Sequence, residues 1–448
     1  YRFCDLGLLL AAWLSDLLLH GNNHFSELPQ QFAANTLSPG DSVSHLALSV
    51  FILIAASGKS AQFPFSYWLP RAMEGPTPSS AIFYGALSVH LGVFLLIRTY
   101  PIWSYEWITQ AMVFLIGLIT VVLSSLSERS QSNIKGQIAY ASITQVGFMF
   151  MELALGFHSW VLVHFLGNAF LRCYQLLVSP SVVAHMLRLE GSMDTGLATS
   201  TSESRTGLMK LLGERVTTTL QVMALQEFNL ETLVRSMLWD PIRKSGDIVN
   251  NLPIWYLISI GSVVIFLLTY CVWIDAVDSY NLAIPVAVIM VLASASAFSQ
   301  RRDAFKVWNR VGISCLLAAL ATGLTNKTSM DGIVLYVSGV IPAWLMGWVV
   351  LRQLLSGENY RETPFMYRGM AEKKPLTALV FLFGCLGLIS FPITPAFLGQ
   401  DLLLFSVSEH HPAIIILLAL TFVVNGIATA NIYMRICMGR PVEVPSLN

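Results

Sequence analysis

A lysine inside an apolar run is the residue of this sequence best suited to chemistry. Lys59 follows the apolar stretch 51–58 and precedes an aromatic segment that contains Pro64 and Pro70. An ionisable side chain at bilayer depth costs about 2.5–3.5 kcal/mol, so such a residue indicates a functional site. Lysine can alternate between charged and neutral forms, as a proton relay requires, whereas arginine cannot. The alternative is a lysine that extends to the membrane interface.

A polar stripe follows in a second apolar run. His164, Asn168 and Arg172 are four and eight residues apart and therefore share one face of a helix. A polar stripe on a membrane helix points into the bundle or a wet cavity. The intrinsic pKa of histidine, about 6.5, suits proton transfer. The competing interpretation is that His164 is a core histidine whose hydrogen bonds are satisfied within the protein and which has no role in proton transfer.

Further candidates are less distinctive. Asp401 is either a proton-carrying carboxylate or the N-cap of a helix over 402–407. Lys135 begins an apolar run, so interface anchoring competes with a relay role. Glu152 and His90 lie within apolar runs and are weaker relay candidates.

Other chemistries are not indicated. The His410–His411 pair beside Glu409 is typical of a solvated loop rather than a metal site, and Glu74 reads as an edge charge. No Gly-rich phosphate loop or nucleophile–base constellation occurs, so we expect no cofactor, no metal and no redox chemistry in this chain. The six cysteines have no paired spacing, which argues against a zinc site or disulfide framework. They are Cys4, Cys173, Cys271, Cys315, Cys385 and Cys437.

Composition places these residues in a polytopic membrane protein. The 448 residues are 55% hydrophobic and 12% charged, with a mean hydropathy of +0.64. Soluble domains carry about 25% charged residues. The net charge of zero argues against a nucleic-acid partner. The fold class is therefore all-α, with the lipid bilayer as its surroundings.

Apolar runs predict about twelve transmembrane helices, since each span needs about 20 apolar residues. The predicted spans are 6–20, 43–74, 78–99, 107–126, 136–157, 159–186, 251–274, 281–299, 310–325, 332–351, 375–408 and 411–436. Two spans are over-long and broken, one at Lys59 and one at 391–395. Broken spans in corresponding halves indicate an inverted repeat of the transporter type.

Loop charges predict the orientation. With these spans, nearly all loop lysines and arginines fall on one side, and the other side has only Arg98 and Lys327. The positive-inside rule places the basic loops, and Tyr1, in the cytoplasm. We expect a multi-pass protein of a bacterial inner membrane. Because the chain starts at Tyr1 rather than Met, we expect further sequence upstream.

The segment 187–250 differs from its surroundings. Residues 192–205 are rich in Ser and Thr and read as a linker. Residues 208–237 have helical apolar spacing with charges on the other face. This helix either lies on the membrane surface, docks a cytoplasmic partner, or is simply solvated.

The stretch 58–81, with the sequence GKSAQFPFSYWLPRAMEGPTPSSA, resembles a known family. It is similar to the proton-conducting antiporter-like membrane subunits: chain L (subunit 5) of NADH-quinone oxidoreductase, Mrp-type Na+/H+ antiporter large subunits, and relatives paired with inorganic-carbon uptake. Matches at 134–148, 163–172, 374–401 and 425–439 support it. The resemblance covers about 1–186 and 366–440, and 187–365 shows no counterpart.

The resemblance implies proton translocation along buried ionisable residues. Lys59 matches the lysine of the first broken helix, and His164 matches a histidine of the central axis. Arg172 stands where a lysine is usual, and Gln400 where the second-half lysine is usual. Asn168 and Tyr84 also replace residues that titrate in relatives. The glutamate that usually pairs with the Lys59 position is expected upstream of Tyr1.

Four segments follow: core 1–186, cytoplasmic linker 187–250, transmembrane insert 251–365 and core 366–448. We predict a proton- or cation-translocating subunit of a larger complex, with other membrane subunits as partners. One alternative is an energising subunit for inorganic-carbon uptake with a carbonic-anhydrase-like partner. The other is a membrane scaffold with an inactive path.

Overall fold

The computed structural model describes residues 2–18, 42–179, 214–252, 279–300, 303–325, 330–355, 368–407 and 412–439. These residues form helices and connecting turns, and no strand occurs among them. Seven of the described helices are long and apolar enough to cross a membrane by length and composition. Two shorter apolar helices, Val43–Lys59 and Pro375–Leu388, end at the two predicted breaks. The chain is thus an all-α polytopic membrane protein, as the sequence predicts.

The helices of the first part run as follows: α1 Arg2–Leu18, α2 Ser42–Lys59, α3 Trp68–Ala72, α4 Thr77–Arg98, α5 Tyr100–Trp103, α6 Trp107–Ser130, α7 Ile134–Ala154, α8 His158–Val178, α9 Glu214–Leu225 and α10 Leu230–Val234. The helix α4 is irregular, because Ser80–Leu87 is a π-helical stretch. Tight packing holds this part together; in α4, for example, Gly92 lies against the backbone of Ala56, where a Cβ would come within 2.2 Å of the carbonyl oxygen.

The helices of the second part are α11 Asp240–Asn251, α12 Ser279–Ser299, α13 Ala304–Thr325, α14 Met330–Leu355, α15 Met370–Lys373, α16 Pro375–Leu388, α17 Pro395–Ser406 and α18 Pro412–Cys437. The chain divides into two compact units, the first ending at Ser236 and the second beginning at Met237. The core of the second unit is built around the fully buried Trp308, Tyr336 and Phe381.

The predicted spans agree with these helices, except that 251–274 and the end of 159–186 lie largely outside the described residues. The span predicted at 310–325 begins earlier, at Ala304, and has 22 residues. Its first five residues include the apolar Phe305, Val307 and Trp308, and the charged residues among and around them concealed its start in the sequence.

The amphipathic helix predicted over 208–237 is wrong as a continuous element in its described part. Three consecutive residues, Glu227, Phe228 and Asn229, have positive φ and interrupt it between α9 and α10. Beyond this turn Leu230 and Val234 are buried, and α9 packs against the membrane helix α6. The described portion therefore packs on its own unit at a few residues, while most of α9 is exposed. Residues 180–213 lie outside the described residues.

Candidate functional site

The first helix break forms where α2 ends at Lys59. Ala61 has φ of +53°, the left-handed conformation that commonly follows a helix end. The N–H of Gln62 donates to the carbonyl of Ser57 at 2.8 Å, and the N–H of Ala61 donates to the carbonyl of Gly58 at 3.5 Å. This pattern is a Schellman motif, although Ala61 is not glycine. The motif ends α2 abruptly, with Lys59 in the last turn.

Lys59 forms an ion pair at this break. Its Nζ lies 2.5 Å from Asp5 Oδ1 of α1, and the two side chains are only 20% and 28% exposed. Gly58 permits this contact, because α1 passes so close that a Cβ there would overlap the Cys4 side chain. Asp5 was not among the predicted site residues. The available signal was a carboxylate within an apolar helix, which is as unusual as the lysine itself.

Polar side chains line the same break. The Trp68 indole N–H donates to the carbonyl of Gly58 at 3.0 Å, which fixes the segment after the break. The buried oxygen atoms Ser57 Oγ, Ser60 Oγ and Gln62 Oε1 have no hydrogen-bond partner among the described residues. Buried polar groups in membrane proteins are generally paired with protein or ordered water. Ordered water is therefore expected at this break.

His164 lies between two side chains of α7. Its Nδ1 faces Glu152 Oε1 at 3.0 Å, and its Nε2 faces Gln145 Oε1 at 2.9 Å. The imidazole is about one quarter exposed. The partners of the two ring nitrogens are thus a carboxylate oxygen and an amide oxygen, which are both hydrogen-bond acceptors. The weak candidate Glu152 is thus brought together with His164, and Gln145 was missed because amides are common on apolar helices.

Asn168 and Arg172 form a second cluster with His90. Arg172 Nε donates to Asn168 Oδ1 at 3.1 Å, and Nη1 donates to Gln175 Oε1 at 2.7 Å. Since a guanidinium only donates, Asn168 must turn its NH2 toward His90 Nε2, 3.1 Å away. His90 Nε2 is then an acceptor, and the ring carries its proton on Nδ1. All three side chains are buried.

The predicted single stripe is therefore two clusters. His164 makes its hydrogen bonds to α7, whereas Asn168 and Arg172 bond to α4 and to their own helix. The spacing correctly placed the three residues on one face, but their partners come from different helices. Tyr84, in the same helix as His90, packs edge-on against Trp68.

Lys135 lies away from these groups. Its Nζ donates to the carbonyl of Gly75 at 2.9 Å, and the N-cap Asn133 accepts from its backbone N–H. This contact ties the start of α7 to the turn before α4. Glu74 in that turn is exposed. His410 and His411 lie outside the described residues, among which no group of three or more His, Cys, Asp or Glu could hold a metal.

The second helix break repeats the backbone of the first. Ser390 has φ of +57°, the N–H of Phe391 donates to the carbonyl of Leu386 at 2.9 Å, and that of Ser390 to Gly387 at 3.2 Å. This is again a Schellman motif without glycine at the left-handed residue. The last residue of α16 is Leu388, at the position that Lys59 has in α2.

Gln400 and Asp401 lie beyond this break, in the middle of α17. The helix begins at Pro395 with Thr394 as its N-cap, so the alternative role of Asp401 as an N-cap is wrong. Both side chains are partly buried. Asp401 belongs to the second unit, whereas Lys59, His164 and Arg172 belong to the first.

Comparison with known proteins agrees with the resemblance. A family model described as NADH:quinone oxidoreductase/Mrp antiporter, TM matches residues 1–199 and 257–425. The second match includes most of 251–365, for which the sequence alone suggested no counterpart, and leaves 200–256 unmatched between the two.

Curated relatives match over a shorter stretch. The chloroplastic NAD(P)H-quinone oxidoreductase subunit 5 of Poa pratensis is 36% identical over 193 residues, 42% of this chain and 27% of the relative. That of Zea mays is 38% identical over 194 residues, 42% of this chain and 26% of the relative. The aligned part is about a quarter of the length of these relatives. Because the family model matches more than half of the chain, this protein belongs to the NADH:quinone oxidoreductase/Mrp antiporter membrane family.

Proposed function

We propose that this chain translocates protons as an antiporter-like subunit of a larger membrane complex. The observation that carries the proposal is the ion pair between Lys59 and Asp5 at a helix break. A paired lysine and aspartate are tolerated at bilayer depth, whereas either charge alone is costly. Opening the pair therefore favours loss of the lysine proton, and closing it favours uptake.

The break supports this cycle. A helix end in a Schellman motif lets the chain change direction within the membrane, because backbone N–H groups beyond the end satisfy the last carbonyls of the helix. The unpartnered oxygens of Ser57, Ser60 and Gln62 would hold water beside the ammonium group. Such water gives the proton a route to and from Lys59 that a dry apolar helix lacks.

The cluster around His164 would be the next proton-transfer site after Lys59. An imidazole between Glu152 and Gln145 can take a proton on one nitrogen and release it from the other. Arg172, buried with Asn168 and His90, would act as a fixed positive charge that raises the energy of a proton arriving nearby. Lys135 and Asp401 remain predicted members of the path.

Other membrane subunits are the proposed partners. The two relatives are named as subunits of NAD(P)H-quinone oxidoreductase, which supports a redox-driven complex over the inorganic-carbon alternative. No redox centre is proposed for this chain. We further propose that its basic loops face the cytoplasm of a bacterial cell, following the charge asymmetry of the loops.

The test is proton flux into proteoliposomes that contain the full-length protein with its membrane partners. We expect Lys59→Ala to abolish most of the flux. Lys306→Ala is the matched control, because Lys306 is 60% exposed and its nearest described carboxylate, Asp303, is 4.0 Å away. Unchanged flux in Lys59→Ala would sink the proposal and favour an inactive scaffold.

A further inference from the structure

A second polar cluster lies inside the second unit, beside its helix break, and contains no charged side chain. It joins Ser314 and Cys315 of α13, Tyr336 of α14 and Asn425 of α18. All four are at most 2% exposed. The sulfur of Cys315 lies 4.0 Å from the carbonyl of Leu388, the last residue of α16 before the break.

The hydrogen bonds fix how Asn425 points. Ser314 uses its hydroxyl proton on the carbonyl of Val311, so its oxygen is an acceptor for other groups. Asn425 therefore presents its NH2 to Ser314 Oγ, at 2.6 Å, and to Cys315 Sγ, at 3.7 Å. Its Oδ1 must face the opposite way, and that atom is fully enclosed without a hydrogen-bond partner among the described residues.

Two hydroxyls nearby share this condition. The hydroxyl of Tyr336 neighbours the Cys315 thiol and has no oxygen or nitrogen partner in the described part of the chain. Thr429 Oγ1, one turn beyond Asn425, is likewise enclosed and unpartnered there. Threonines in membrane helices normally bond back to the carbonyl four residues earlier, as Thr421 does to Leu417 at 2.8 Å. Thr429 departs from that habit.

We infer that Tyr336, Asn425 and Thr429 hold ordered water between α13, α14 and α18, next to the second helix break. Water suits these groups because it donates to the amide oxygen and accepts from a hydroxyl. A metal cation would have no compensating carboxylate within the cluster, and an anion would face the amide oxygen; both are costly at bilayer depth. The inference does not depend on proton translocation.

The site would also reach α17. The backbone of Tyr336 packs against Gly399, where a Cβ would come within 2.3 Å of the Tyr336 nitrogen. Gln400 and Asp401 follow directly in the sequence. The backbone of Tyr336 therefore contacts α17, and its hydroxyl lies at the water site. Through Tyr336, the water site would be coupled to Gln400 and Asp401.

The test is X-ray radiolytic labelling of the full-length protein in H2(18)O, read by mass spectrometry. Hydroxyl radicals form from bound water, so they label neighbouring side chains even where bulk solvent is excluded. Cys385 is a matched internal control, because it is a buried cysteine of the same unit, 2% exposed, and is not one of the residues of the polar cluster. We expect Cys315 and Tyr336 to be labelled several-fold faster than Cys385. Equal rates would overturn the inference.

Two variants identify the ligand. Asn425→Leu should lower labelling of Tyr336 to the rate of Cys385, and Thr429→Val, which removes only a hydroxyl, gives a milder test should the first variant fail to fold. Labelling that persists in a folded Asn425→Leu contradicts the assignment. The wild type is then labelled in sodium-free buffer with choline. Unchanged labelling supports water, whereas labelling that depends on sodium would overturn it in favour of a cation site.

Discussion

The two helix breaks of this protein share a backbone and differ in chemistry. Each ends in a Schellman motif with a non-glycine residue at positive φ, Ala61 in the first and Ser390 in the second. Each has a glycine directly before the last residue of the helix, Gly58 in the first and Gly387 in the second. The first break presents Lys59 with its carboxylate partner, and the second presents Leu388 beside neutral groups. The break geometry therefore does not require a charge.

This difference shows that a helix break and a charged side chain at the break have separate requirements. A bend in a membrane helix needs only partners for its freed backbone groups. Lys59 needs more, because its charge must be compensated, and the carboxylate of Asp5 supplies that compensation. By position relative to the left-handed residue, the counterpart of Lys59 is Leu388, whereas Gln400 lies on the following half-helix. The first unit is thus equipped to carry charge at its break, and the second to hold neutral water.

The largest effect is expected when the first break is given the residue of the second. Lys59→Leu should lower proton flux about 100-fold, the scale of losing a proton-transfer group. Leucine fits the backbone, since it occupies the equivalent place at the second break, but the variant removes the ammonium group beside Asp5 and should also lower the unfolding midpoint. Flux in proteoliposomes and the thermal unfolding midpoint give the two readouts. A variant that folds and conducts normally would remove the basis of the comparison.

The reverse exchange should harm stability. Leu388 is 2% exposed, and Leu388→Lys places an ammonium there with no described carboxylate in contact, at a cost of about 2.5–3.5 kcal/mol. Leu388→Met is the control of similar volume. Thermal unfolding in detergent measures the difference. If Leu388→Lys is as stable as Leu388→Met, the second break is less apolar than we describe.

A smaller loss of flux is expected at the histidine cluster. His164 belongs to the first unit, and the described part of the second unit contains no histidine that could take the same role. His164→Gln keeps hydrogen-bonding groups but cannot take a proton, and we expect flux to fall about tenfold. Gln145→Leu should change flux less, because it removes one acceptor and leaves Glu152. Equal effects of both variants would argue for a purely structural cluster.

The smallest effect concerns the segment that follows the first break. Arg71 donates to Glu231 Oε2 at 2.7 Å, and this contact lowers the pKa of the Glu231 carboxyl below its usual 4.5. Because the folded pKa is depressed, the contribution is present above the unfolded pKa and is lost as pH falls through the lower folded value. The pair is half exposed, so we expect only about 0.2–1 kcal/mol.

Comparing the unfolding free energy of the wild type and Glu231→Gln at pH 7 and at pH 3 measures this contribution. The difference between them should shrink at the lower pH. A difference that grows on acidification would have the wrong sign for this pair.

Much of the fold follows from hydropathy. A membrane-spanning helix needs about 20 apolar residues, and prolines and glycines mark the two breaks. The position of each helix could therefore be predicted from its own stretch of sequence. The turn at 227–229 was not, because three consecutive left-handed residues, none of them glycine, leave no local signal. The turn is followed by Leu230 and Val234, which are buried.

The ionisable residues of the site could be predicted from the sequence, but their hydrogen-bond and ion-pair partners could not. Lys59 and His164 are conspicuous as ionisable groups in apolar runs. Asp5 is 54 residues from Lys59, so its partnership depends on how α1 and α2 pack. The neutral cluster around Asn425 had no signal at all, since serine, asparagine and tyrosine occur in many membrane helices. Sequence shows costly charges, whereas neutral polar sites appear only when burial is known.

The most direct test of the account is a double-mutant cycle between the two charges at the first break. Proton flux is measured for Asp5→Asn, for Lys59→Gln and for the double variant, in the full-length protein with its partners. If the pair acts as one unit, the double variant should conduct no more slowly than Lys59→Gln alone. Losses that multiply in the double variant would show that Asp5 and Lys59 act independently, and would contradict the account.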